Sequence, residues 1–198
     1  MRFTFRPLTP DRWRDLEALF GQRGACGGCW CMWWRVRATE FNKNKGDRNR
    51  AAFRAVVAAG PPPGLLAYAG AAPVGWCAVA PRQTYVRLAT SRVLAPLDAQ
   101  PVWSITCFFI AATWRRKGLS TALIRAAVTF ARSHGAKIIE GYPVEPRRGA
   151  IPAAFAWTGL PRAFEKAGFQ EATRRSPTRP IMRKSVRPVA RAISTPPN

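Results

Sequence analysis

The run VWSITCFFI, Val102 to Ile110, limits what this chain can become more than any other segment. It is apolar at nearly every position, so it has no face to give to water and reads as a central strand covered on both sides. A short basic loop, Trp114 to Gly118, carries it into a segment of helical periodicity from Leu119 to His134. There Leu123, Ala127 and Phe130 share the inward face, Arg125, Thr129 and Arg132 the outward one, and Gly135 stands where a helix-ending glycine belongs. AKIIEGY then reads as another strand. A strand–loop–helix–strand unit of this kind calls for a sheet with a helix packed on its face.

The flanking segments fit around that unit. Phe3 to Pro7 can open as a strand, and TPDRWRDLEALFG reads as a helix capped by Thr9 or Asp11, with Trp13, Leu16 and Phe20 on one face. A second helix is expected in GDRNRAAFRAVVAAG, with Phe53 and Val57 inward and PPPG as a hard stop. LLAYAG and PVGWCAVAP form a hairpin, GLPRAFEKAGF a short helix with Pro161 in its first turn, and the segments around FQEATRRS and RPIMRKSV two closing strands. The result is a single α/β domain over residues 1–185, a central mixed sheet flanked by helices. Residues 186–198 lack periodicity and are expected to form a flexible basic tail.

Composition narrows the class. At 198 residues and 47% hydrophobic, the chain can bury one good core. Its 32 Lys+Arg against 10 Asp+Glu give a net charge of +22. That excess fits a partner made of phosphates, nucleic acid or a phosphorylated cofactor, and fits equally a genome biased toward arginine codons. No apolar run of signal-peptide or membrane-spanning length occurs. The five cysteines, odd in number and unevenly placed, make a poor disulfide framework. The expectation is a cytoplasmic protein with no membrane partner.

The chemistry should lie where the basic loop enters the helix. The first turn of a helix leaves N–H groups unpaired and carries partial positive charge. Arg115, Arg116 and Lys117 add fixed charge, and Gly118 lets the backbone approach a ligand closely, so the loop reads as a diphosphate seat, the alternative being a solvated turn. These residues also resemble a known motif. Arg115-Arg-Lys-Gly118-Leu-Ser120, following Cys107 on an apolar strand, is similar to the acyl-CoA-binding motif Q/R-x-x-G-x-G/A of the GNAT N-acetyltransferases. FEKAGF, Phe164 to Phe169, resembles the superfamily's closing Y-E-K-x-G-F, and the order of elements agrees from about Phe3 to Ser185.

The resemblance implies acetyl-CoA as co-substrate, no metal, and transfer of an acetyl group to a primary amine of a small molecule. Backbone groups of Phe108, Phe109 and Ile110 would pair with the pantetheine arm as an added strand would. The N–H groups of Arg116, Lys117, Gly118, Leu119 and Ser120 would hold the pyrophosphate, with Arg115 at the Q/R position, and a gap beside the central strand would admit the thioester. A homodimer is common for folds of this kind. Two positions depart from the pattern. Ser120 replaces the last small residue, and Phe164 replaces the tyrosine thought to protonate the leaving thiolate. Tyr142 is the substitute acid, Cys107 a weaker one.

For the proton of the amine, the lone His134 sits at a helix end, which disfavours a Ser-His-Asp or Cys-His nucleophile and favours direct transfer. Glu140 stands apart among the acids because it interrupts an apolar strand, where a partly desolvated carboxylate could serve as base; the alternative is a structural acid paired with an arginine. Glu145 is the reserve. In GNAT proteins the region between the first two helices lines the acceptor pocket, and here it holds GACGGCWCMWWR, Gly24 to Arg35. Trp30, Met32, Trp33 and Trp34 would wall a pocket for an aromatic or alkyl amine, or else complete the core under a loop. The C-x2-C-x-C spacing of Cys26, Cys29 and Cys31 falls one ligand short of structural zinc, and Cys26/Cys29 sit at no evident helix start for a redox pair. The competing class is a nucleic-acid-binding or RNA- or protein-acetylating basic protein that keeps the fold. Phe164 is its best argument, and the diffuse basic residues and lack of a nucleic-acid motif stand against it.

Overall fold

The computed structural model describes residues 2–147, 149 and 151–187. It contains a seven-stranded sheet in the order β1-β2-β3-β4-β5-β7-β6. The strands are β1 (Thr4–Pro7), β2 (Gly64–Ala69), β3 (Ala72–Pro81), β4 (Trp103–Ile110), β5 (Ile138–Gly141), β6 (Gln170–Arg174) and β7 (Pro180–Ser185). Helices α1 (Trp13–Phe20), α2 (Ala38–Lys43), α3 (Asp47–Ala59), α4 (Val86–Ala89), α5 (Leu119–Ser133) and α6 (Pro161–Glu165) flank it. Of the tail expected over 186–198, everything beyond Arg187 lies outside the described residues. No described helix is long and apolar enough to cross a membrane.

β4 is central, as its largely apolar sequence leads one to expect. Leu119, Leu123, Ile124, Ala127, Phe130 and Ala131 form the buried stripe of α5 and pack with Ile105 and Phe108 of β4 on one face of the sheet. On the other face Trp13, Leu16 and Phe20 of α1 and Phe53 and Val57 of α3 close over Trp76, with Trp30 and Met32 packed among them. A third, smaller core at the end of the sheet joins Trp34, Tyr85, Leu88 and Tyr142.

Two irregularities in β4 set up the site. Its antiparallel register with β3 shifts between Ala78 and Val79, leaving Thr106 without a partner as a bulge between Ile105 and Cys107. Its parallel pairing with β5 spans only Trp103 to Ile105. β5 ends at Gly141, where Phe164 of α6 lies so close that any Cβ would fall inside the aromatic ring. From Thr106 onward β4 and β5 therefore part.

The expected elements are present, with differences at the ends. α2 and α4 are additional, and at six and four residues they are too short to show helical periodicity. The helix expected over GLPRAFEKAGF is shorter, Pro161–Glu165, with Gly168 in the left-handed region at φ 84°.

Candidate active site

The gap between β4 and β5 is bordered by two indoles. Trp34 donates its Nε1–H to the carbonyl of Thr106 at 3.1 Å. The carbonyl of Trp157 accepts the N–H of Phe108 at 2.6 Å, on the stretch of β4 that β5 has left. The Trp34 and Trp157 rings pack at 5.7 Å, and Trp33 meets Trp157 edge-on at 6.2 Å. These three indoles wall a cavity of about 530 Å³. Its remaining polar lining is three arginines, Arg37, Arg87 and Arg179, with the hydroxyls of Thr90 and Ser91; Ala38 and Val86 complete it. Segments from four loops meet here, before α2, around α4, before α6 and before β7. That convergence is typical of a ligand site.

The arginines are poorly compensated. The guanidinium of Arg87 lies 3.7 Å from the centre of the Trp33 ring and donates Nε–H to the Val36 carbonyl at 3.1 Å. Its Nη2 is buried and meets no acceptor among the described residues. Arg179 donates to the neutral Thr158 hydroxyl at 3.1 Å. Burial pulls both groups below the ordinary arginine value.

The basic loop leads into α5 as the sequence implies. Arg116 (φ 59°) and Gly118 (φ 78°, ψ 1°) are both left-handed, and no side chain caps the helix. Arg115 to Gly118 are exposed, so the first N–H groups of α5 are free to meet an anion. Leu119 is buried as part of the α5 stripe, and Ser120 is half-buried. Arg115 donates Nε–H to the Ile110 carbonyl at 3.0 Å, and Lys117 lies 5.0 Å from the Trp114 ring. Phe109 and Ile110 are paired with Trp76 and Gly75 of β3. Within the chain, then, the Phe108 N–H and the Ile110 carbonyl already have partners.

Glu140 and Tyr142 are brought together behind the cavity, Tyr142 in the core cluster that also holds Trp34. Glu140 is 1% exposed. Its Oε1 accepts two bonds from Arg183, at 2.9 and 2.7 Å, and its Oε2 accepts the Tyr142 hydroxyl at 2.9 Å with Arg82 at 3.5 Å. Tyr142 also accepts from Arg82 at 2.6 Å, with the Ser104 hydroxyl 2.8 Å away. Burial, then the Glu140 charge, push the phenol of Tyr142 well above its ordinary value. Neither residue lines the cavity. Of the two readings the sequence left open for Glu140, its contacts match the structural acid paired with arginine. Glu145 pairs with Arg174.

The tryptophan-rich stretch divides. Trp33 and Trp34 reach the cavity, whereas Trp30 (4% exposed) and Met32 (5%) belong to the core between α1, α3 and the sheet. The switch happens at Trp30 and Cys31, both left-handed at φ 43° and 60°, which turns the chain between the two environments. Cys31 accepts the Trp76 Nε1–H at 3.2 Å, and all five cysteines are free. Among the described residues no group of three or more His, Cys, Asp or Glu is placed to hold a metal ion. Phe164 is fully buried between Phe108 and Phe169, 6.0 and 5.3 Å away, so no phenol occupies its place. The sequence reading missed Trp157, Arg37, Arg87 and Arg179. No motif marks Trp157, and the three arginines look like any others among 32 basic residues.

A seven-stranded mixed sheet that parts beside a bulged central strand, with an uncapped helix opening from a basic loop at that strand's end, defines a mixed α/β fold. The acetyltransferase (GNAT) family model matches residues 30–154, well over half of the chain, and the chain belongs to that family. It is an acetyltransferase. Solved structures share the fold at low identity. An acetyltransferase of the GNAT family from Listeria monocytogenes 4b F2365 has a TM-score of 0.57 at 12% identity, covering 93% of this chain and 95% of its own. The aminoglycoside acetyltransferase AAC(6')-Ib in complex with coenzyme A has a TM-score of 0.50 at 20% identity, covering 93% and 95%. The PaiA N-acetyltransferase from Thermoplasma acidophilum, also with coenzyme A, has a TM-score of 0.50 at 12% identity, covering 94% and 100%. No curated protein sequence is significantly similar to this chain.

Proposed function

We propose that the chain transfers the acetyl group of acetyl-CoA to a primary amine of a small-molecule acceptor, by direct attack with both substrates bound. The observation that carries this reading is the indole-walled cavity whose walls Trp34 and Trp157 bond to Thr106 and Phe108, at the gap beside β4. Acetyl-CoA supplies the electrophilic thioester. The amine nitrogen bonds to its carbonyl carbon, the C–S bond breaks, and the nitrogen gives up a proton. The chain's part is to seat the pyrophosphate on the N–H groups from Arg116 to Ser120, beside Arg115, and to offer the β4 edge at Phe108 to Ile110 to the pantetheine arm, which requires the Phe108 N–H to leave Trp157.

Among the described residues no carboxylate lines the cavity. Three guanidiniums there disfavour an ammonium, so the acceptor enters more readily as the free amine, and the site needs less of a general base. Glu140 and Tyr142 take a positioning role: their network with Arg82, Arg183 and Ser104 ties β4, β5 and β7 together where the gap begins.

The test is free-thiol release from acetyl-CoA across a panel of primary amines, with thermal melting in parallel. At about 100 times its Kd, acetyl-CoA stabilises by about 2.7 kcal/mol, which should raise Tm by roughly 5–10 °C in a chain of this size. Replacing Arg116 and Lys117 with glutamate should abolish that shift. No shift and no amine-dependent thiol release would sink the proposal.

A further inference from the structure

Resting on the reading of the indole-walled cavity as the acceptor site, we infer that the acceptor is an anionic amine, one that carries a carboxylate or phosphate on an aromatic body. The cavity presents Arg37, Arg87 and Arg179 and, among the described residues, no Asp or Glu. None of these three forms a salt bridge among the described residues. Glu140 and Asp98 are engaged by Arg183 and Glu145 by Arg174, and Glu40, three residues past Arg37 on α2, is exposed and is not on the cavity lining among the described residues.

Two of the guanidiniums are partly desolvated and have been given neutral company instead of a counter-ion. Arg87 rests on the face of Trp33, bonds a carbonyl and keeps a buried Nη2 without an acceptor. Among the described residues the Arg179 side chain bonds only the Thr158 hydroxyl. Removing a cation from water without pairing it costs stability, and an arriving oxyanion recovers that cost as charge-assisted hydrogen bonds. Arginine's fork of donors suits carboxylate and phosphate equally well. Trp33, Trp34 and Trp157 give the cavity an apolar, π-rich wall on which an aromatic body can rest. A polycation such as an aminoglycoside meets the opposite field, so the substrate named for AAC(6')-Ib is one this cavity should reject.

The experiment compares matched amines at saturating acetyl-CoA: phenethylamine, 4-(2-aminoethyl)benzoate, its phosphate analogue 4-(2-aminoethyl)phenyl phosphate, and kanamycin. The anionic members should exceed phenethylamine in kcat/KM by about tenfold or more, with kanamycin lowest, and the ratio should fall toward one in Arg87→Gln and Arg179→Gln. The difference between carboxylate and phosphate identifies which oxyanion the site takes. Equal or better use of phenethylamine or kanamycin overturns the inference.

Binding is measured separately, by isothermal titration calorimetry with CoA saturating so that the cofactor's own phosphates are accounted for. Indole-3-propionate should bind about tenfold tighter than indole-3-propionamide, and Arg37→Gln, a change at an exposed position, should narrow the gap. Equal affinities overturn the inference whatever the turnover assay gives. Selective binding of the anion in a protein that acetyl-CoA does not stabilise would leave the anion site standing and remove the transferase reading.

Discussion

Glu140→Gln separates a structural acid from a catalytic base. The carboxylate is 1% exposed, and the side chains of Arg82 and Arg183 beside it are 12% and 17% exposed, so the cluster is interior. The amide is isosteric but neutral, and its NH₂ would face donors of Arg183 or Arg82. Breaking a buried pair by removing one partner costs about 3–5 kcal/mol, because the remaining charge is stranded. Two features place this case at the lower end. Arg183 keeps Asp98 at 2.5 Å, and Arg82 keeps the carbonyls of Leu88 and Leu94 and the Tyr142 hydroxyl. The expected loss is therefore about 3 kcal/mol, or roughly 6–12 °C in Tm for a chain of this length. Below the transition, kcat should stay within about threefold of wild type, since neither residue reaches the cavity. Adding Arg82→Gln removes one stranded charge, so the double variant should cost about 1–3 kcal/mol less than the sum of the singles. Differential scanning calorimetry and steady-state thiol release measure the two arms. A Tm change under about 2 °C with a loss of about 100-fold in kcat would refute the reasoning and return Glu140 to the role of base.

Three further outcomes follow from the same geometry. Gly118→Ala should lower stability by about 1–2 kcal/mol through its left-handed φ of 78° alone, since a Cβ there meets no atom within 4 Å, and the strain at the loop should raise the KM for acetyl-CoA. Trp34→Phe strands the buried Thr106 carbonyl and should cost about 1–3 kcal/mol in urea unfolding, with a larger effect on the acceptor KM than on that of acetyl-CoA. The thiol of Cys29 is pushed up to about 11, first by burial and then by Cys31. Native protein therefore binds that proton more tightly than unfolded chain, whose thiol lies near about 8.5. The stability is complete below about pH 8.5 and is lost as pH rises toward 11, so Cys29→Ser should flatten the decline of Tm over that window.

What could be read from the sequence follows from how local each signal is. α5 and β4 are legible because their buried faces repeat over many residues: Leu123, Ala127 and Phe130 announce one stripe, and the apolar run of β4 announces cover on both sides. The loop from Arg115 to Ser120 is legible because strand, basic turn, glycine and helix are contiguous. Glu140 is visible as an anomaly but not as a function. Its meaning depends on the β5–β7 register that sets it opposite Arg183, 43 residues away. Trp34 is visible as part of a cluster, but nothing local distinguishes it from Trp30. The indole of one reaches a carbonyl 72 residues on, while the other packs on Trp13 and Phe20. Arg87 and Arg179 became distinguishable only through an absence, the missing acid on the cavity wall, which is a property of the folded surface.

Trp157 links the β4 edge to the indole-walled cavity. A ligand arm that adds to β4 as a strand needs the N–H of Phe108 and the carbonyl of Ile110, which bond the Trp157 carbonyl and Arg115 in this structure. Exchanging one hydrogen bond for another changes the free energy by only about 0.5–1.5 kcal/mol, so the existing contacts do not forbid such an arm. The exchange is not silent, because Trp157 contributes to both places at once. Its main chain holds the β4 edge, and its ring packs on Trp33 and Trp34 in the cavity wall. A displacement of that backbone must carry the ring with it, and the ring borders the space into which Arg87 and Arg179 face. The β4 edge and the cavity wall thus share one piece of chain. On the proposed function, a change in either ligand's fit would be felt by the other through the position of Trp157.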